Sequence, residues 1–188
     1  MDLALSIRQV QPDDMPFLWD MLWEAAAVDD VVRAMGKQTA LALPEISRYL
    51  DAWGRPGDLG VVAYDETGRR LGAAWIRLFP AKTPGYGFVA PDIPELSIGV
   101  FAKARGQGVG GALLDALLEI ARRRGHRSVS LAVNRLNPAR KLYECKGFRD
   151  AGLSAPADVG LTMVVSLGYS STPRRGSSLA SPDHRPNS

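Results

Sequence analysis

Residues 105–111 read Arg-Gly-Gln-Gly-Val-Gly-Gly and run directly into a long amphipathic stretch. No other segment limits the possible folds as much. A glycine-rich turn that opens a helix leaves its backbone N–H groups unblocked, and the helix dipole adds partial positive charge, so the turn invites a phosphate. Without side chains the anion can come close, and positive φ is available where the turn needs it. Ahead of the turn, Glu95–Val100 reads as a strand. Behind it, Val109, Leu113, Leu117 and Ile120 share one helical face up to about Arg124, with Gly125 as the stop. Glu119 stands three and four residues before Arg122 and Arg123 and supports that helix.

Known phosphate turns can be compared with this one. Gly106, Gly108 and Gly111 fit the dinucleotide pattern G-x-G-x-x-G. That pattern needs a tight strand-to-helix turn, whereas the strand here ends at Val100, and the next strand ends in Val133-Asn134 with no acid for a ribose. A triphosphate loop needs Gly-Lys-Ser/Thr at its end, and none is present. Close helix-on-sheet packing also uses glycine, but four in one turn exceed that need.

The remaining chain supplies a layered α/β pattern. Leu3–Val10 reads as a strand, Pro12-Asp13-Asp14 as a helix start, and Met15, Leu18, Trp19, Leu22 and Trp23 as one helical face. Residues 29–53 read as helical, with Pro44 opening the later part. Leu59–Tyr64 and Arg70–Leu78 form a hairpin, and a loop dense in Pro and Gly spans 80–94. A strand follows over Arg127–Val133, then a helix opened by Asn137-Pro138 and closed by Gly147. Phe148–Leu153 and Leu161–Leu167 close the sheet.

Charge and composition narrow the class of function. The formal net charge is +3. Two of those units lie in residues 168–188, where Arg174, Arg175 and Arg185 face Asp183 alone. The rest is almost neutral, which argues against a nucleic-acid surface. Residues 168–188, rich in Ser, Pro and Arg, are expected to be a disordered tail behind a domain over 1–167. One cysteine, Cys145, and two histidines, His126 and His184, make a disulfide framework or metal site unexpected. No apolar run is long enough for a membrane span and no signal-peptide pattern opens the chain, so a cytoplasmic location is expected.

The segment Glu95–Val100 followed by Arg105-x-x-Gly108-x-Gly110 resembles the acetyl-coenzyme A motif of the GNAT-type N-acetyltransferases. Leu131-Ala132-Val133-Asn134, Asn137–Glu144 and Lys146-Gly147-Phe148 resemble that family's second signature. The resemblance covers residues 5–167 in element order and 95–148 by motif. It implies the acyl-CoA N-acyltransferase fold, a central mixed β-sheet flanked by helices. It also implies acetyl transfer from acetyl-coenzyme A to a primary amine by direct attack in a ternary complex, with dimers frequent.

Residue by residue, the resemblance implies that the backbone of Ile98, Gly99 and Val100 holds the thioester arm in a splay after the fourth strand, and Gly99 in mid-strand is consistent with a bulge there. Arg105, Gly106, Gln107, Gly108, Val109, Gly110 and Gly111 would cradle the pyrophosphate, and Asn134 and Asn137 would touch the cofactor or its waters. Tyr143 matches the tyrosine that protonates the leaving thiolate. Glu95 matches a base acting through water, which Ser97 could order. Plainer readings stand beside these: Tyr143 as a packing ring, Glu95 as a solvated strand-end acid, Asn137 as a helix cap, Cys145 as an ordinary helix residue and His126 as a cation at a helix end. Trp19, Trp23, Trp75, Tyr86 and Phe88 are candidates for an acceptor pocket, and Asp29 and Asp30 could attract an amine. A catalytically silent acyl-coenzyme A sensor, a hydroxyl acceptor and a longer acyl chain remain alternatives.

Overall fold

A computed structural model of the chain describes residues 4–168; of the expected tail, residues 169–188 lie outside the described part. Among the described residues, seven strands form one mixed sheet in the order β1-β2-β3-β4-β5-β7-β6. They are β1 Ser6–Gln9, β2 Leu59–Tyr64, β3 Arg70–Arg77, β4 Glu95–Val100, β5 Ser128–Asn134, β6 Arg149–Asp150 and β7 Gly160–Ser166. Neighbours run antiparallel except β4 and β5, which are parallel. The helices are α1 Met15–Ala26, α2 Asp30–Met35, α3 Lys37–Ala42, α4 Pro44–Ser47, α5 Val109–Arg123 and α6 Ala139–Cys145. Among the described residues no helix is long and apolar enough to cross a membrane.

Strand alternation divides the core between two faces. Val61, Ala63, Ala74 and Ile76 meet Leu113, Leu114 and Leu117 of α5. Val62, Ala73 and Trp75 meet Phe17, Leu18, Met21 and Leu22 of α1, together with Tyr49 and Leu50. Trp75 is fully buried, and its indole N–H donates to Tyr49 O at 3.2 Å, so it is core and not pocket wall. Trp19 and Trp23 pack against the same cluster.

Three local expectations need correction. Residues 29–53 do not form one helical stretch. Gly36 has φ +80° and separates α2 from α3, and Leu43, extended ahead of Pro44, separates α3 from α4. Asp29 caps α2 by accepting from Val31 N (2.8 Å) and Val32 N (3.1 Å), which commits its carboxylate locally. The bulge expected at Gly99 is not there, because β3 and β4 stay in register from Gly72↔Val100 to Arg77↔Glu95. Gly99 has a different purpose: a Cβ built on it would stand 2.1 Å from Met21 O. Glycine lets the backbone of α1 lie flush on β4. The expected strand over Phe148–Leu153 is only Arg149–Asp150.

Before α1, Asp14 is fully buried and joins three segments. It accepts from Arg8 of β1 at 2.6 Å and from Gln11 N at 2.9 Å, and pairs with Arg70 of β3 at 3.1 Å. Burial pushes its carboxyl upward, but the Arg8 hydrogen bond, Gln11 N–H and nearby arginine charges outweigh that and hold it below its ordinary value.

Candidate active site

The site follows from how β4 and β5 separate. Their pairing is confined to Glu95↔Ser130, with Ser130 N donating to Pro94 O at 3.0 Å. On the far side of β4, Phe101 N donates to Leu71 O at 3.0 Å. The antiparallel alternation then turns the N–H groups of Ile98 and Val100 away from β3 and into the divide. On β5, Leu167 N donates to Arg127 O at 2.8 Å, which by the same alternation turns the N–H groups of Ala132 and Asn134 toward the divide. The result is a slot lined by backbone donors and acceptors, suited to an extended polar arm.

The glycine turn stands beyond the end of β4. Gly108 caps α5 at φ +83°, and Gly106 has φ +74°; nothing lies within 4 Å of a Cβ built on either. Positive φ accounts for glycine at both positions, and open space lies above them. Among the described residues, no acceptor takes the N–H groups of residues 106–111; the first bond of the helix comes from Ala112 N to Gly108 O at 3.0 Å. These residues fit a diphosphate, being free donors at a helix N-terminus. Gly110 and Gly111 also let α6 approach, since Cβ atoms there would meet Leu142 at 3.2 Å and 3.8 Å. Gln107 turns back to Lys103 O at 2.7 Å. Arg105 is committed to Val100 O (2.9 Å) and Glu24 (2.8 Å), so it braces the turn against β4 and α1.

Tyr143 projects from α6 into the core on the α5 side of the sheet, 8% exposed and edge-on to Phe148. Burial pushes its phenol up to about 12, so it keeps its proton at neutral pH. Asn134 Oδ1 accepts from Leu136 N and Asn137 Oδ1 from Ala139 N, both at 2.9 Å. These bonds shape the approach to α6, as the capping reading of Asn137 expected. Cys145 is exposed. His126 is not the expected cation, because burial lowers its pKa and favours the neutral ring.

Glu95 lies on the opposite face and is 3% exposed, so the solvated-acid reading fails. Its Oε1 accepts from the Tyr49 hydroxyl at 2.7 Å and from Gly87 N at 2.8 Å. Tyr49 in turn accepts from Tyr86 N at 2.7 Å, and Arg48 donates to Pro84 O at 2.5 Å. The loop over 80–94 is thus drawn down over the carboxylate. Tyr86 stacks on Tyr49 at 6.4 Å between centroids and remains 64% exposed. Glycine is required in this loop. A Cβ on Gly85 would stand 2.1 Å from Glu95 Oε2, and one on Gly87 would stand 2.4 Å from the carbonyl carbon of Leu131. Burial raises the Glu95 carboxyl, while Tyr49, the Gly87 N–H and the Arg48 charge pull the other way. Tyr49, Gly85, Gly87 and Ser130 were not singled out from sequence; the Gly-Tyr-Gly run inside a Pro-rich loop was the one available signal.

The parallel pair is split open beyond one rung, with a turn of free donors beside it. Residues 17–148 match the family model described as Acetyltransferase (GNAT) family, and the chain belongs to that family. Among solved structures, it is 28% identical to a GCN5-related N-acetyltransferase from Kribbella flavida (TM-score 0.61, covering 87% of this chain and 98% of that one). It is 27% identical to a ribosomal-protein-alanine N-acetyltransferase from Brucella melitensis (TM-score 0.60, covering 86% and 99%). Over 107 residues it is 34% identical to a mycothiol acetyltransferase of Clavibacter sepedonicus, covering 56% of this chain and 32% of that protein. The chain spans about a third of the length of the curated relatives it matches.

Proposed function

We propose that the chain transfers the acetyl group of acetyl-coenzyme A to a primary amine by direct attack within a ternary complex. The observation that supports this reading is the divide between β4 and β5, with Tyr143 in the core on the α5 side of the sheet and Glu95 at the last paired rung on the α1 side. In this reading donor and acceptor approach the divide from opposite faces of the sheet.

Residues 106–111 would hold the diphosphate, and the backbone of Ile98, Gly99 and Val100 the extended arm. Acetyl-coenzyme A, as co-substrate, supplies the activated thioester. The Val100 N–H points into the divide and is positioned to donate to a carbonyl oxygen as charge builds there. Tyr143 carries a proton at neutral pH and is the group to donate to the departing sulfur. The apolar surroundings that raise this phenol would also raise a thiol beside it, which narrows the mismatch between them. Glu95 is the group to take the acceptor's proton, since an amine of lysine type is mostly protonated at pH 7.

The test is a thiol-release assay with acetyl-coenzyme A and four amines: spermidine, an aminoglycoside, a lysine-containing peptide and a peptide with N-terminal alanine. The last is included because of the ribosomal-protein-alanine relative. Release above the amine-free rate with at least one of them supports the proposal. Tight binding of acetyl-coenzyme A with no release for any amine would turn the reading to a silent sensor.

A further inference from the structure

Residues 84–87 form the crest of the loop between β3 and β4, and they close over Glu95. Both carboxylate oxygens are covered. Oε1 accepts from Gly87 N (2.8 Å) and from the Tyr49 hydroxyl (2.7 Å), which itself accepts from Tyr86 N (2.7 Å). Oε2 abuts the backbone at Gly85, where a Cβ would stand 2.1 Å away. The crest then reaches β5, where a Cβ on Gly87 would stand 2.4 Å from Leu131 C and 2.5 Å from Ala132 N. Glu95 is left 3% exposed. No amine reaches its carboxylate while the crest is seated.

The contacts that seat the crest are mostly polar. Besides the Tyr86 and Gly87 amides, Arg48 donates to Pro84 O at 2.5 Å, and the Tyr86 ring stacks on Tyr49. Residues 81–84 and Tyr86 carry exposed side chains. Apolar anchoring lies at the two feet, where Phe79 is buried and Phe88 packs against the cluster on the α1 side. A segment held by hydrogen bonds, with little apolar burial of its own, opens at a lower free energy than the strands beneath it.

The seated crest also leaves one group unsatisfied. Glu95 Oε2 is buried without a hydrogen-bond partner. Such an atom is costly, and a cationic amine offers it a charge-assisted donor. That contact exists only with the crest lifted, so the amine favours the lifted state by a difference in contacts.

We propose that residues 84–87 are a gate on the acceptor side of the divide, seated by Tyr49 as a latch and lifted when the acceptor's ammonium takes the crest's place at Glu95. Tyr49 is a positioning residue, acting through the loop and not on the acceptor. The gate rests on the reading above, in which the acceptor meets Glu95 from the α1 face.

Amide exchange read residue by residue shows whether the crest moves as one body, and it needs no acceptor. In Tyr49→Phe the Tyr86 amide loses its partner and exchanges faster whatever the loop does. The Gly87 amide keeps Glu95 and is the informative one. We expect both to speed up together, about tenfold or more, with the amides of β3 and α5 unchanged. Acceleration at Tyr86 alone would overturn the gate and leave the base reading intact. Gly87→Ala is the second variant, because its Cβ would meet main-chain atoms of an interior strand. There the Tyr86 amide, which keeps Tyr49, should lose protection about tenfold or more; undiminished protection would overturn the seating on β5.

Kinetics with the fastest of the four amines ties the gate to the acceptor. A site open for only a fraction of the time binds more weakly by that fraction. Tyr49→Phe should therefore raise kcat/KM for the amine several-fold, with acetyl-coenzyme A affinity by calorimetry unchanged. Faster exchange at both amides with kcat/KM unchanged or lowered would mean a loop that opens without controlling entry, and would refute the gate. If Glu95→Gln leaves kcat/KM unchanged, the base reading fails and takes the trigger at Glu95 with it.

Discussion

Replacing Gly99 by alanine isolates a single contact, the one between the backbone of α1 and β4. The new Cβ would stand 2.1 Å from Met21 O and 2.8 Å from Met21 C. Both are main-chain atoms in the middle of a helix, so no side chain can rotate away. Relief requires α1 to withdraw by about 1 Å, because carbon and oxygen do not settle much closer than about 3 Å; a gap of that size forfeits about a quarter to a half of each lost contact. The face that lifts carries Phe17, Leu18, Met21 and Leu22, all buried. Their burial contributes about 2 kcal/mol each, so the loss should be about 2–4 kcal/mol. Urea unfolding followed by circular dichroism should show the midpoint falling with little change in slope. Gly110→Ala is the internal comparison. Its Cβ would meet the end of the Leu142 side chain at 3.2 Å, and alanine is the better helix former, so stability should change by less than about 1 kcal/mol. A loss below about 1 kcal/mol for Gly99→Ala, or equal losses for both, would refute the close-approach argument.

Tyr143→Phe should lower kcat about 100-fold or more, with acetyl-coenzyme A affinity by calorimetry unchanged; an undiminished kcat would remove Tyr143 from the proton path. Gly108→Val should weaken coenzyme A binding at least tenfold, because a β-branched residue resists φ +83° and would tilt the free N–H groups; equal affinity would count against the cradle. Asp14→Asn should cost about 2–3 kcal/mol at pH 7 by leaving buried donors unbalanced. Because the folded Asp14 carboxyl lies below its unfolded value, the wild-type advantage should be full above about pH 4 and shrink as pH falls further, which paired melting curves can follow.

What could be read in the sequence was local. The turn at 105–111 announces itself because its glycines, the preceding strand and the following helix are contiguous, and the same holds for Asn137-Pro138 before Tyr143. The Glu95 environment could not be read in that way. Tyr49 stands 46 residues from Glu95, and only the folding of the short helices and the 80–94 loop brings its hydroxyl to the carboxylate. Gly85 and Gly87 resemble ordinary loop glycines until the atoms they must clear are known. Ser130 sits within an alternating strand pattern, and its meaning comes from the register with β4. The bulge expected at Gly99 failed for a related reason: a mid-strand glycine signals close approach as readily as irregular pairing, and only α1 decides between them.

The single rung between β4 and β5 has a mechanical consequence. It makes the sheet two half-sheets, β1–β4 and β5-β7-β6, hinged at Glu95 and Ser130 and otherwise joined through the side chains beneath. A molecule laid along the open seam would supply the missing rungs and work as a transient strand. Amide exchange should then slow on both sides of the seam together, at Ile98 and Val100 as well as at Ala132 and Asn134, when coenzyme A is added. The ligand would stitch the protein across its weakest line, so that the tightness of the fold and the occupancy of the site rise and fall as one quantity.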